Sequence, residues 1–197
     1  MLTQNLLKLL CTHSIIPAAR SIEDFNFAIE KTIAPSVILL FADILSLPAL
    51  LEHARTYHKR VLVHFDLLHG IGKDEIGIKF LARMGVNGLI TTKSHLCRLA
   101  RAEGMIVIQR IFLTDSEAMR TGINLLHKFQ PDAVEILPAS IPASVVKHFS
   151  EETRVPILGG GLLTTPQDIQ SALNSGLAAV STSRRELWNE LISSEHK

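Results

Sequence analysis

His64-Phe65-Asp66 sets an imidazole and a carboxylate two residues apart, at the end of the apolar run Arg60 to Phe65. On a strand that spacing turns both side chains to one face. The pair suits two ligands to one metal ion, or two hydrogen bonds to one polyol. The polyol is the preferred reading, and no metal or cofactor is assigned. Six more polar residues stand at or just past the end of an apolar run: Arg20, Asp43, Lys93, Gln109, Arg110 and Glu135. Each alone has an ordinary structural explanation, as a solvated cation, a turn cap or one half of an ion pair. Buried charge needs a partner, so a ring of mixed sign is electrostatically sound even without a function. As a set at successive strand ends, the eight read as a ligand-binding ring.

A second constellation runs from Val155 to Ser183. Val155 to Leu158 has the length of a short strand, and Gly159-Gly160-Gly161 then reads as a tight turn that lets backbone approach a ligand. Thr165 as N-cap, Pro166 at the first helical position and Asp168 behind them start a helix, which Gly176 ends. Leu177 to Val180 is the next strand, and Ser181-Thr182-Ser183 the turn after it. Two consecutive strand ends made of small residues form an anion cradle, which points to phosphate.

The elements that must carry these groups follow from the pattern of apolar runs. A leading helix spans Met1 to Ser14. Strands are predicted at Ile15–Ala19, Ser36–Phe41, Arg60–Phe65, Asn87–Thr91, Met105–Arg110, Ala133–Leu137, Val155–Leu158 and Leu177–Val180. A helical segment follows each, with Thr114 to Glu117 reading as a capping box and Arg185 to Ser193 as the closing helix. Eight strand–helix units joined by short connections predict a small (β/α)8 barrel with a parallel sheet, forming a single domain over residues 1–197. An open doubly wound sheet is the alternative. It suits one ring-shaped mouth less well.

With 47% hydrophobic residues the chain can bury a sizeable core, and its net charge of +1 gives no overall sign of a nucleic-acid or membrane partner. Cys11 and Cys97 make no disulfide framework and fit a reducing cytoplasm. Lys8, His13 and Pro17 argue against a signal peptide, and Pro35, Asp43 and Pro48 break the most apolar window.

Taken in order, Ile16-Pro17-Ala18-Ala19-Arg20, Val63 to Ile71 with Asp74-Glu75, Thr91-Thr92-Lys93, Gln109-Arg110-Ile111-Phe112, Glu135-Ile136-Leu137-Pro138, Gly159-Gly160-Gly161 and Ser181-Thr182-Ser183 with Leu187-Trp188 form a specific set. The chain resembles, almost end to end, the glycerol uptake operon antiterminator regulatory proteins of bacteria. It departs at Ala42 and Ala139, where glycine is common, and at Lys93, often arginine. The resemblance implies a barrel-like regulator and not an enzyme. Such a protein senses glycerol 3-phosphate and acts on a leader mRNA to prevent early termination. A homo-oligomer is left open, and no membrane is implied.

The competing class is a phosphosugar enzyme similar to the ribulose-phosphate epimerases. There the His-x-Asp pair binds metal and an acid precedes the glycine pair of the seventh strand. That position here is Leu158, so the second general acid/base is missing. For the RNA, residues 73–128 carry nine Lys/Arg against five Asp/Glu. Lys79 and Arg83 share one helix face and Arg98 and Arg101 another, giving one candidate basic patch.

Overall fold

Strand runs that are apolar on both faces must lie in the middle of the molecule, and here they close on themselves. The computed structural model describes residues 2–190. In chain order the elements are α1 (Leu2–Leu10), β1 (Ile15–Ala19), α2 (Ile22–Lys31), β2 (Ser36–Leu39), α3 (Leu47–Thr56), β3 (Arg60–His64), α4 (Glu75–Met84) and β4 (Gly88–Thr91). There follow α5 (Ser94–Ala102), β5 (Ile106–Phe112), α6 (Ser116–Lys128), β6 (Ala133–Leu137), α7 (Ala143–Thr153), β7 (Ile157–Gly160), α8 (Pro166–Asn174) and β8 (Ala179–Thr182). The eight strands pair in sequence order, all parallel, and β8 returns to β1 through the Ile15–Val180 register. This is the expected (β/α)8 barrel.

Strand alternation divides the barrel into two apolar layers. Ile16, Ala18, Ile38, Leu62, Ile90, Ile108, Ala133, Leu158 and Ala179 point inward and fill the lumen. The residues between them, such as Val37, Val63, Leu89, Val107, Val134 and Val180, pack outward against the helices. At the bottom α1 closes the lumen. Its Leu10 is fully buried in the inner layer, and the Ser36 hydroxyl donates to the Leu10 carbonyl.

Side-chain caps start several helices, each accepting from the N–H three residues on: Ser21 for α2, Asp74 for α4 and Thr165 for α8. The box expected from Thr114 to Glu117 does not form. Asp115 is the N-cap of α6 instead, accepting from the Ala118 N–H at 2.8 Å, because a carboxylate one residue later reaches the same donors.

Two strands are shifted. β7 and β8 each begin and end two residues later than the sequence pattern suggests, so Gly159, Gly160, Ser181 and Thr182 lie within the sheet, not in turns. Gly159 is required there by packing: a Cβ would come within 2.5 Å of the Leu177 side chain and 2.9 Å of the Ala139 Cβ. Of the triplet only Gly161 turns the chain, at φ +75°. After β8 the chain forms a 3-10 turn, Arg185–Leu187, and the last part of the expected closing helix lies outside the described residues.

Candidate ligand site at the barrel mouth

Two-residue steps up each strand from the lumen layer lead to the polar residues of the mouth. Ala18 leads to Arg20, Leu62 to His64, Ile108 to Arg110, Ala133 to Glu135, Leu158 to Gly160, and Ala179 to Ser181 and Ser183. A cavity of about 280 Å³ opens over the ends of β1, β5, β6, β7 and β8. Arg20, Arg110, Glu135, Gly160, Gly161 and the Ser181-Thr182-Ser183 run line it, together with Arg184. Arg184 was not among the predicted site residues. Its position directly behind the hydroxyl-rich turn was the available signal.

The charge balance of this cavity is decisive for what it can hold. Three guanidiniums line it against one carboxylate, Glu135. Glu135 is 1% exposed and already committed. Its Oε2 accepts from Arg110 Nε at 2.7 Å and its Oε1 from the Ser181 hydroxyl at 2.5 Å. Only the Nε edge of Arg110 is held this way, so the rest of its guanidinium fork is not engaged by Glu135. Arg184 has an ion-pair neighbour, Glu186, at the looser distance of 3.6 Å. The cavity therefore carries an excess of positive charge, as a phosphomonoester requires. Gly160 belongs to its floor. A Cβ there would sit 2.9 Å from Ser181 Oγ and 3.1 Å from Glu135 Oε1.

His64 is not among the residues lining this cavity; it is 4% exposed, and neither ring nitrogen has a hydrogen-bond partner among the described residues. Burial, seconded by the charge of Arg110, pushes its pKa down from 6.5 to about 4, so the ring is neutral at pH 7. A neutral imidazole offers one donor and one acceptor, which fits a hydroxyl.

The remaining predicted ring members do not join this cavity. Asp66 accepts from the Thr92 N–H (2.7 Å), the Thr91 hydroxyl (2.8 Å) and the Thr92 hydroxyl (3.0 Å), tying the end of β3 to the end of β4. Burial alone would raise its pKa, but these donors hold it below the usual carboxylate value. The polar pair of His64-Phe65-Asp66 is thus split: the strand stops at His64, and a 3-10 turn over Phe65–Leu67 directs Asp66 into this latch. Asp43 caps its own turn, accepting from the N–H groups of Leu45 and Ser46, which lowers its pKa. Gln109 points outward by alternation. It donates to the carbonyls of Thr91 and Thr92 and accepts from the Cys97 thiol. Lys93 is exposed at the start of α5, and Gly159 faces the outer layer. Among the described residues no group of three or more His, Cys, Asp or Glu is placed to hold a metal ion.

The basic patch is also reduced. α4 and α5 are neighbours, as expected. Lys79, however, pairs with Glu75 at 2.5 Å, and Arg101 pairs with Asp132 at 2.7 Å and lies over the Phe129 ring. Arg83 and Arg98 are exposed and make no ion pair with the described residues.

Comparison with known proteins bears on the fold and on the family. The chain is 35% identical to the glycerol uptake operon antiterminator regulatory protein of Listeria monocytogenes, whose crystal structure superposes with a TM-score of 0.83 over 89% of this chain and 94% of that one. A glycerol uptake operon antiterminator-related protein from Thermotoga maritima is 30% identical, with a TM-score of 0.79 over 89% of this chain and 97% of the other. An uncharacterized Escherichia coli protein, YgcP, is 30% identical over 93% of this chain and 95% of its own length. A phosphosugar barrel, the N-acetylmannosamine-6-phosphate 2-epimerase of Clostridium perfringens, shares the fold alone at 11% identity. The model of one family, the glycerol-3-phosphate responsive antiterminators, matches residues 15–188, nearly the whole barrel, and the chain belongs to that family.

Proposed function

We propose that this chain binds glycerol 3-phosphate in the mouth cavity and, when loaded, binds a leader mRNA in the cytoplasm to prevent early termination of glycerol-uptake transcripts. The observation that carries the reading is the charge balance: Arg20, Arg110 and Arg184 around one neutralised carboxylate, in a cavity floored by Gly160 and Ser181. The phosphate sits against the guanidiniums and the small residues of β7 and β8. The hydroxyls reach toward His64, the one buried side chain with unpartnered polar atoms among the described residues.

The protein acts as a sensor and not a catalyst on this reading. Leu158, the position of the second acid in an epimerase, is buried among the aliphatic residues of the lumen, and both oxygens of Glu135 already accept hydrogen bonds. Thermal shift tests it. Glycerol 3-phosphate at a hundredfold over Kd should stabilise by about 2.7 kcal/mol, a Tm rise of roughly 5–11 °C, and glycerol alone should do little. Equal shifts with both ligands would remove the phosphate site. Solvent deuterium entering ribulose 5-phosphate at an enzyme-like rate would overturn the sensor reading.

A further inference from the structure

A second polar pocket, of about 320 Å³, opens at the opposite end of the barrel, where β3 and β4 begin and α3 ends. Arg55, His58, Lys59, Arg60 and Asn87 line it, and no carboxylate is among the lining residues. Two of the cations serve the helix ends around it. Arg55 Nη2 donates to the Met84 carbonyl at the end of α4, and Lys59 Nζ donates to the carbonyls of Ala28 and Thr32 at the end of α2. Cations at helix C-termini are expected on electrostatic grounds and by themselves need no ligand.

That account does not cover the rest of the pocket. The side chains of His58 and Arg60 make no hydrogen bond or ion pair with the described residues. Glu52 bonds the other end of Arg55, and Glu30 is paired with His53; neither lines the pocket. Tyr57 precedes His58 in the chain, just outside the lining; it is 46% exposed, and its ring lies edge-on against His53 at 5.4 Å. His58 follows in a left-handed conformation, φ +56°. An exposed aromatic ring close in sequence to an unpartnered guanidinium, Arg60, is the combination that stacks an unpaired base and contacts its phosphates.

We infer that this pocket docks the phosphodiester backbone of single-stranded RNA, with Tyr57 stacking on an adjacent base. The inference rests on the RNA-binding reading above and places that contact at the barrel's closed end, where α4 ends, and not on the exposed faces of α4 and α5. Ligand and RNA then occupy opposite ends of the same barrel, and each must change the affinity for the other by the same factor if they are coupled.

The test uses the full chain saturated with glycerol 3-phosphate and a short fluorescent single-stranded RNA, titrated over a range of salt concentrations. Arg60→Ser should weaken binding and reduce the salt slope by about 0.7 for the lost phosphate contact. Tyr57→Ala should weaken binding roughly tenfold while leaving the slope unchanged, since stacking releases no counterion. Both variants should keep the wild-type thermal shift with glycerol 3-phosphate, which shows that they are folded. Variants that bind RNA like wild type would overturn the pocket. Loss of binding in Arg83→Ser/Arg98→Ser instead would leave the RNA reading standing and move it to the flank. A wild-type chain that responds to glycerol 3-phosphate but binds no RNA would overturn both. A polyglutamate peptide that displaces the RNA from wild type, and itself depends on Tyr57 and Arg60, would assign the surface to an acidic protein segment.

Discussion

The two halves of the barrel mouth are built from the same kinds of residue but use them differently. On the side of β2, β3 and β4, Asp43 and Asp66 are saturated by neighbouring N–H and hydroxyl groups, and Gln109 closes the same network from β5. On the side of β5 to β8 and β1, the guanidiniums of Arg20 and Arg110 and the end of β8 face a cavity. One half holds the loops; the other is available to a ligand. A polar residue at a strand end is therefore not yet a site residue. What separates the two is whether its hydrogen-bonding capacity is used locally.

The largest effect that would sharpen this contrast is at Arg110. Arg110→Met strands the buried Glu135 carboxylate without its ion pair. It should cost about 3–5 kcal/mol in urea unfolding and abolish glycerol 3-phosphate binding by calorimetry. Adding Glu135→Gln should restore much of the stability and none of the binding. Recovered affinity in the double variant would break the contrast at its centre.

Next is pH. A histidine whose folded pKa lies near 4, against 6.5 unfolded, binds fewer protons in the folded state. Its contribution to stability is complete above pH 6.5 and is lost as the pH falls toward 4, by at most roughly 3 kcal/mol. The depressed carboxylates Asp43, Asp66 and Asp168 lose theirs at lower pH still. Urea midpoints across this range should fall in wild type and stay flatter in His64→Gln.

Asp66→Asn tests the other half. It should cost about 2 kcal/mol of stability, through weakened charge-assisted hydrogen bonds, with the affinity for glycerol 3-phosphate nearly unchanged. A folded variant that no longer binds would show that the latch is part of the site.

The smallest effect is a gain. Ala42 holds φ +122°, a conformation that glycine adopts without a Cβ penalty. Ala42→Gly should stabilise by about 1 kcal/mol, raising Tm by roughly 2–4 °C with unchanged ligand affinity.

Much of this was legible beforehand. The alternation of apolar runs and capped helices gave eight units and their closure, because those signals are local. Alternation also held more than the ring reading extracted from it: two-residue steps from Ile108 lead to Arg110 and pass Gln109 by, which separates a cavity residue from a packing one. The ends of β7 and β8 were not readable in the same way. Gly159 and Gly160 look like a turn until Leu177 and Ala139 are seen pressing on the strand, and that contact is tertiary. The split between His64 and Asp66 depended on where β3 stops, which its sequence leaves ambiguous between Phe65 and His64.

The helix that closes the bottom of the lumen has a consequence for how the chain is assembled. α1 is synthesised before every strand, yet its seat is the floor of a finished barrel, to which β8 contributes Ala179. Leu10 has no lumen to enter until the last strand has paired with the first. α1 reaches its full burial only when the barrel has closed, so barrel closure and helix docking support one another. Removing β8 leaves α1 without its finished seat.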